Sequence, residues 1–381
     1  MIKDWNLIKF GDLFDYENKS KIKAGEGMKI GKYPFYTSSV ELTKFLNEFQ
    51  FEKNSLIFGT GGNASIHYCD LPFSASTDCL VAFSKDDQKV DAKYVYYFLF
   101  GNINILEEGF KGAGLKHISK GYINEIKIPV PPLNIQKEIV EILNSADLLC
   151  RKDLELINKY EELSESIYID LFGQPFKNER NFKKVKIADI VLKGKNKIRS
   201  GPFGSDLLHS EFVQSGISVL GIDNVVENRF RNRNQRFITE QKFNQLSRYQ
   251  VFEDDVLVSI MGTVGRSAVV PKNIGLAINT KHLVAITTNK KLINPHFLNY
   301  SLIHNQEILF QIKQKSKGAI MDGLNIGIIK ELELFLPPLE LQNQFIKLLN
   351  IIIYQKELLL QKQSELLFNS ISQKAFKGEL M

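Results

Sequence analysis

The side chains with the most to offer chemically are cationic forks. Residues 227–239, ENRFRNRNQRFIT, carry Arg229, Arg231, Arg233 and Arg236 with asparagine and glutamine between them. Arginine and side-chain amides present paired groups that match guanine and adenine edges, while lysine and backbone amides hold phosphates. A second run, KVKIADIVLKGKNKIRSGPFGSDLL (184–208), brings Lys193, Lys195, Lys197 and Arg199 into a Gly-Pro-Phe-Gly turn. Arg266, Lys315 and Lys317, with Lys111 and Lys116 in the first third of the chain, complete the set of candidate nucleic-acid contacts. The plainer reading of each cluster is a solvated strand edge guarded by charge.

Other chemistry finds little support. Gly59-Thr60-Gly61-Gly62-Asn63-Ala64 follows a strand and faintly resembles a dinucleotide fingerprint, but Gly262-Thr263-Val264-Gly265-Arg266-Ser267 breaks that pattern. No helix of adequate length is expected after either. Gly59, Gly61, Gly62, Gly262 and Gly265 read instead as tight turns or points of close backbone approach to a neighbour or a phosphate. Gly27-Met28-Lys29-Ile30-Gly31-Lys32 is a residue too short for a Walker loop and lacks its hydroxyl. The six histidines show no paired-ligand spacing, so no metal site is expected. Asp206 and Asp254-Asp255 have no evident acid or base partner, and FEDDVLVS reads as a turn before a strand. The Asn/Asp-Pro-Pro-Tyr/Phe loop of amino-methyltransferases is missing, because leucine follows both Pro-Pro pairs. These residues point to binding rather than covalent chemistry.

The charge needed for a polyanion partner is unevenly spread. The net charge of +6 hides a neutral stretch over residues 1–132, −4 over 133–177 and +9 over 178–336. The third segment is therefore the one that favours a polyanion. Length alone predicts two or three domains, and Cys69, Cys79 and Cys150 fit no disulfide or metal spacing. MIKDWNLIKF lacks an apolar signal core and no stretch reaches transmembrane length, so a cytoplasmic protein is expected.

A duplicated frame is predicted to position these residues. KIPVPPLNIQKEIVEILN (127–144) and ELFLPPLELQNQFIKLLN (333–350) share six of eighteen residues, among them both prolines and Gln136 with Gln342. The match extends upstream. LIFGTGGNASIHY (56–68) aligns with LVSIMGTVGRSAVV (257–270), STDCLVAFS (76–84) with NTKHLVAIT (279–287), and Lys111-Gly112-Ala113 with Lys317-Gly318-Ala319. DAKYVYYFLF (91–100) and NPHFLNYSLI (294–303) read as short aromatic helices. The unit is a mixed α/β domain, then Pro-Pro, then a long helix, and it is written twice.

From Ile135 the apolar steps alternate four and three, through Ile139, Ile142, Ala146, Leu149, Asp153, Leu156, Tyr160, Leu163 and Ile167, as in a coiled coil. The second copy gives Leu341, Phe345, Leu348, Ile352, Gln355, Leu359, Lys362 and Leu366. Its leucine and isoleucine doublets predict packing on something besides its partner helix. Gly173 and Gly378 supply the stops. The predicted division is a first domain over 1–132, a long helix and linker over 133–177, a second domain over 178–338 and a second helix and tail over 339–381. Antiparallel helices, with the domains at opposite ends of a rod, are expected from the absence of charge repulsion.

The whole resembles the specificity subunit of type I restriction–modification systems. The resemblance rests on the doubled Pro-Pro-Leu-x-x-Gln, the GTGG and GTVG turns, SGPFGS (200–205), IDLFGQP (169–175), AFKGEL (375–380) and KYPFYTSS (32–39). It implies two target-recognition domains, separated by antiparallel coiled-coil helices, each reading one half of a split double-stranded DNA sequence. It also implies docking to two modification subunits, which bring S-adenosylmethionine, and to restriction subunits, which bring ATP, magnesium and nuclease activity. This chain would be non-catalytic and carry no cofactor. The neutral first domain departs from the expected charge, so local groups such as Lys111 and Lys116, or partner subunits, would have to grip phosphate. Two other readings stay open: a two-lobed interaction scaffold without DNA specificity, and a fused methyltransferase-nuclease.

Overall fold

A computed structural model describes residues 5–379 apart from 53, 113, 115, 234, 317–323 and 362–363. Each half of the chain opens with a short strand that pairs antiparallel with the strand leading into its Pro-Pro. Asn6–Lys9 lies on Lys127–Val130, and Lys183–Lys186 on Glu333–Leu336. The beginning and end of each domain are thus stitched together.

Between those strands one topology is built twice. In the first domain Phe14–Tyr16, Cys79–Ser84, Ser55–Gly59 and Ser65–Cys69 form an antiparallel sheet in that order. In the second, Ile198–Ser200, Leu283–Ile286, Val256–Ser259 and Ser267–Val269 do the same. The central strands read as unbroken apolar runs because both faces are buried. Leu56 and Phe58 enter one core and Ile57 the other, just as Val256 and Val258 are separated from Leu257. A smaller sheet repeats as well: Tyr33–Tyr36 runs parallel to Ser74–Ala75, and Ile217–Leu220 parallel to Ala277–Asn279.

The Pro-Pro element has the same anatomy in both copies. After Pro132 the chain enters the helix Leu133–Phe172, and after Pro338 the helix Leu339–Gln361, which is followed by Ser364–Phe376. Proline needs no donor at a helix start, where the N–H would be unpaired anyway. Gly173 and Gly378, at φ 83° and 71°, close the two helical runs in the left-handed conformation that glycine tolerates.

The chain forms two units, residues 1–157 with 359–381, and residues 158–358. In the first unit the buried Ile139, Leu143 and Ala146 share a core with Phe368 and Ala375. The aromatic helix Ala92–Gly101 packs on this pair, with Tyr94 against Phe376 at 5.4 Å and Tyr97 against Phe368 at 6.0 Å between ring centres. Gly101 permits that approach, since a Cβ there would lie 2.4 Å from Ser372 Oγ.

The second unit repeats the pattern. The aromatic helix Pro295–His304 sets Phe297 against Phe172 at 5.0 Å and Tyr300 against Phe345 at 4.8 Å. Tyr168 contacts Phe345, while Glu161, earlier on its helix, pairs with Lys356, later on the other. Within this unit the two helix stretches are therefore antiparallel.

The buried line on the first helix keeps Ile139, Ala146 and Asp153 of the predicted seam and departs from it elsewhere. It runs through Gln136, Ile139, Val140, Leu143, Ala146, Asp153 and Ser164, whereas Ile142, Leu149, Leu156 and Leu163 are 38–45% exposed and Ile135 is half-buried. Where the aromatic helix packs on one side, the buried face turns by about one residue toward it, away from a two-stranded seam. On the second helix Phe345, Ile352 and Leu359 are buried, Leu341 is half-buried, and Leu348 and Leu366 are exposed. Lys362 lies outside the described residues.

Candidate nucleic-acid interface

In each domain three loops meet where the parallel strand pair ends: the exit of the strand, the glycine turn, and the loop before the Leu-Val-Ala strand. In the first domain Ser38 Oγ donates to the Asp78 carbonyl at 2.7 Å, and Thr60 donates to the same oxygen from its N–H and its hydroxyl, both at 2.9 Å. A ring nitrogen of His67 lies 2.9 Å from the Ser39 carbonyl, and burial holds this histidine below its usual pKa. His117, beyond the turn, bridges both Gly61 and Lys111 through backbone pairing.

The glycines there do different jobs. Gly59 belongs to a strand, and a Cβ would strike Ser65 Oγ at 2.2 Å and the Ser38 backbone at 2.9 Å. Gly62, Gly262 and Gly265 have φ of 83°, 73° and 83°, the region L side chains avoid. Gly61 meets the His117 ring. The turns also differ in register: Leu56 opposes Ala82 and Leu257 opposes Ala285, so Gly59 and Gly262 are not equivalent positions.

In the second domain the arginine loop is fixed from beneath. Asn224, buried after the strand Ile217–Leu220, donates to the carbonyls of Arg231 at 2.7 Å and Arg233 at 3.4 Å, and its Oδ1 receives the Gly221 N–H. Arg231 Nε donates to Glu227 at 2.9 Å and Arg233 binds its other oxygen, which together hold the Glu227 carboxyl below the usual range. Arg229 pairs with Glu357 on the second helix at 2.8 Å. Arg236 pairs instead with Asp223.

The other candidates are dispersed. Arg199 is buried, 5% exposed, and its guanidinium binds Asp255, Thr287 and two carbonyls, so it braces the domain interior. Asp255, read from sequence as a turn residue, is the fully buried partner. Lys195 and Arg266 are exposed and Lys197 is half-buried. Lys315 is exposed and donates to the Glu331 carbonyl. Lys111 and Lys116 are exposed beside the first glycine turn, and Lys317 lies outside the described residues. Sequence reasoning missed Asn224 and Asp223, whose signal was a Gly-Ile-Asp-Asn loop at a strand exit, a composition suited to side-chain-to-backbone bonds. Among the described residues no cluster of three or more His, Cys, Asp or Glu could hold a metal, and no helix is long and apolar enough to cross a membrane.

Comparison with known proteins agrees with this duplicated frame. The family model described as "Type I restriction modification DNA specificity domain" matches residues 2–163 and 179–367. The MjaVIII specificity subunit of Methanocaldococcus jannaschii is 26% identical over 279 residues, 68% of this chain and 64% of its own length, so this chain spans under two thirds of that relative. The EcoBI specificity subunit of Escherichia coli is 23% identical over 85% of this chain and 73% of its own length. A crystal structure of the type I restriction-modification S subunit from M. genitalium superposes with a TM-score of 0.64 at 17% identity, over 98% of this chain and 95% of that one, and so shares its fold. With both of its domains matched and its doubled α/β frame and antiparallel helices in place, the chain belongs to the type I restriction–modification DNA specificity family.

Proposed function

We propose that this chain gives a type I restriction–modification complex its sequence specificity by reading an asymmetric, two-part double-stranded DNA target, one part with each domain. The observation that carries this reading is one scaffold built twice with unlike side chains on its loops. Seryl, threonyl and histidyl groups occupy the strand-exit site in the first domain, and arginines braced by acids occupy it in the second. Two copies with the same frame and different surfaces suit two different half-sites.

The chain itself is non-catalytic on this reading and works in the cytoplasm. S-adenosylmethionine would be held by modification subunits, two per complex, and ATP and magnesium by restriction subunits. Apolar residues left exposed on the helices support docking of such partners: Leu148, Leu149 and Leu154 in the first unit, and Ile351, Ile353 and Tyr354 in the second. Arg231 and Arg233 would act on one half-site only.

The test is methylation mapping with the complex reconstituted from this chain and its cognate modification subunits. A single split sequence, lost when this chain is replaced by another, is the expected result. Methylation indifferent to the identity of this chain would sink the proposal.

A further inference from the structure

Pro202, Phe212, Gly221, Asp223, Arg236 and His282 line a cleft of about 420 Å³ in the second domain. Three of its lining residues each hold one enclosed polar atom without a hydrogen-bond partner among the described residues: Arg236 Nε, Asp223 Oδ2 and Thr280 Oγ1. Buried polar groups are normally paired, so these three single out the Arg236–Asp223 corner of the second domain.

Two glycines lie at close approaches beside the cleft. A Cβ on Gly221 would stand 2.3 Å from Arg236 Nη2 and 2.8 Å from Asp223 Oδ1, so the ion pair lies in the space that glycine leaves there. A Cβ on Gly201 would stand 1.9 Å from the Asn279 carbonyl oxygen, so glycine there lets the chain run close beside Asn279 into Pro202, which lines the cleft. Arg236 remains about a third exposed, with Asp223 beside it. Burial lowers His282, and the neighbouring Lys281 and Arg236 add to it.

The cleft sits where the first domain carries Ser38, Thr60 and Asp78. The strands that lead to it match by their parallel pairing, Tyr36 with Ala75 and Val219 with Ile278. Asp78 and Lys281 hold corresponding places in the loop before the Leu-Val-Ala strand. Shared backbone with opposed side chains is what distinct half-sites require. Unlike Arg231 and Arg233, which share Glu227, Arg236 has a carboxylate of its own.

We infer that Arg236 is the guanine-reading side chain of the second domain and that Asp223 is the positioning residue that holds its guanidinium. Asp223 engages one terminal nitrogen, which leaves the outer edge of the fork for the O6 and N7 acceptors of guanine in the major groove. The inference rests on the DNA reading proposed above and assigns it a residue and a base.

The experiment is methylation, by the complex with its modification subunits, of a DNA library randomised across both half-sites. With Arg236→Gln, preference for guanine at one position of one half-site should fall about tenfold or more and move toward adenine. Asp223→Asn should relax that same position, and the other half-site should not change. Should Arg236→Gln fail to assemble, Arg236→Lys, which keeps the charge and loses the fork, must relax the same position. Base preferences that survive these substitutions would overturn the assignment, as would an equal loss on every sequence, the mark of a phosphate contact. A wild-type complex that methylates without any split sequence would remove the DNA reading itself.

Discussion

Gln136 and Gln342 make the same three hydrogen bonds in the two units. Each donates to the carbonyl of the first proline of its Pro-Pro, Pro131 or Pro337, at 2.8 Å, and to a second carbonyl, Lys89 or Leu292, at 3.0 or 3.1 Å. Each accepts the N–H of the residue that caps the aromatic helix, Asp91 at 2.9 Å or Asn294 at 2.8 Å. Both side chains are fully buried. One amide therefore ties the strand, the long helix and the aromatic helix together, which is the physical reason the motif is written twice.

Removing that amide strands buried backbone groups. Gln136→Ala and Gln342→Ala should each cost ~1–3 kcal/mol for the groups left unpaired. Glutamate at either place should cost more, because a carboxylate has no donor for the two carbonyls. Denaturant midpoints of the full chain measure this, and alanine and glutamate variants that both unfold at the wild-type midpoint would refute it.

The frame was legible because its signals are local. Pro-Pro, the Leu-Val-Ala strands and the aromatic helices show themselves in composition and period, and each forms the element expected. The burial line of the first helix was harder to read. Ile142 and Leu149 are apolar and in phase, yet contact with the aromatic helix, distant in sequence, decides which face is covered. Partner choice among charges was not legible either. Nothing local distinguishes Arg199, bound to Asp255 56 residues away, from Arg236, bound to Asp223.

Arg199 and Asp255 should behave as a stability pair. Replacing either one alone with alanine leaves a buried charge uncompensated, at a cost of roughly 3–5 kcal/mol. The double substitution should cost less than the sum of the singles. Base preference of the assembled complex should not change in any variant that still folds. A shift in recognised sequence with wild-type stability would show that Arg199 reaches DNA after all.

Glycine replacements should separate crowding from backbone strain. Gly201→Ala meets the backbone of Asn279 and Thr280, which cannot step aside as a flexible side chain could, so a loss on the order of 3 kcal/mol or more is expected. Gly62→Ala has open space around it and only its positive φ to oppose it, at a cost of about 1–2 kcal/mol. Thermal or denaturant unfolding ranks them. The reverse order would mean that the backbone around Gly201 yields easily.

Acid should weaken the fold before its carboxylates titrate. Burial lowers His67, against the opposing effect of the Ser39 carbonyl, and lowers His282, where Lys281 and Arg236 add to it. A histidine lowered in the folded state stays neutral there while the unfolded chain takes up protons, beginning near the free value of about 6.5. Stability is therefore fully present above that pH and declines as pH falls from it toward the lower folded pKa values. Unfolding temperatures measured from pH 7.5 to 5.5 should drop, and His67→Gln, which keeps a polar side chain but cannot be charged, should make the drop shallower. A flat profile over that range, or a slope unchanged by His67→Gln, would count against burial as the cause.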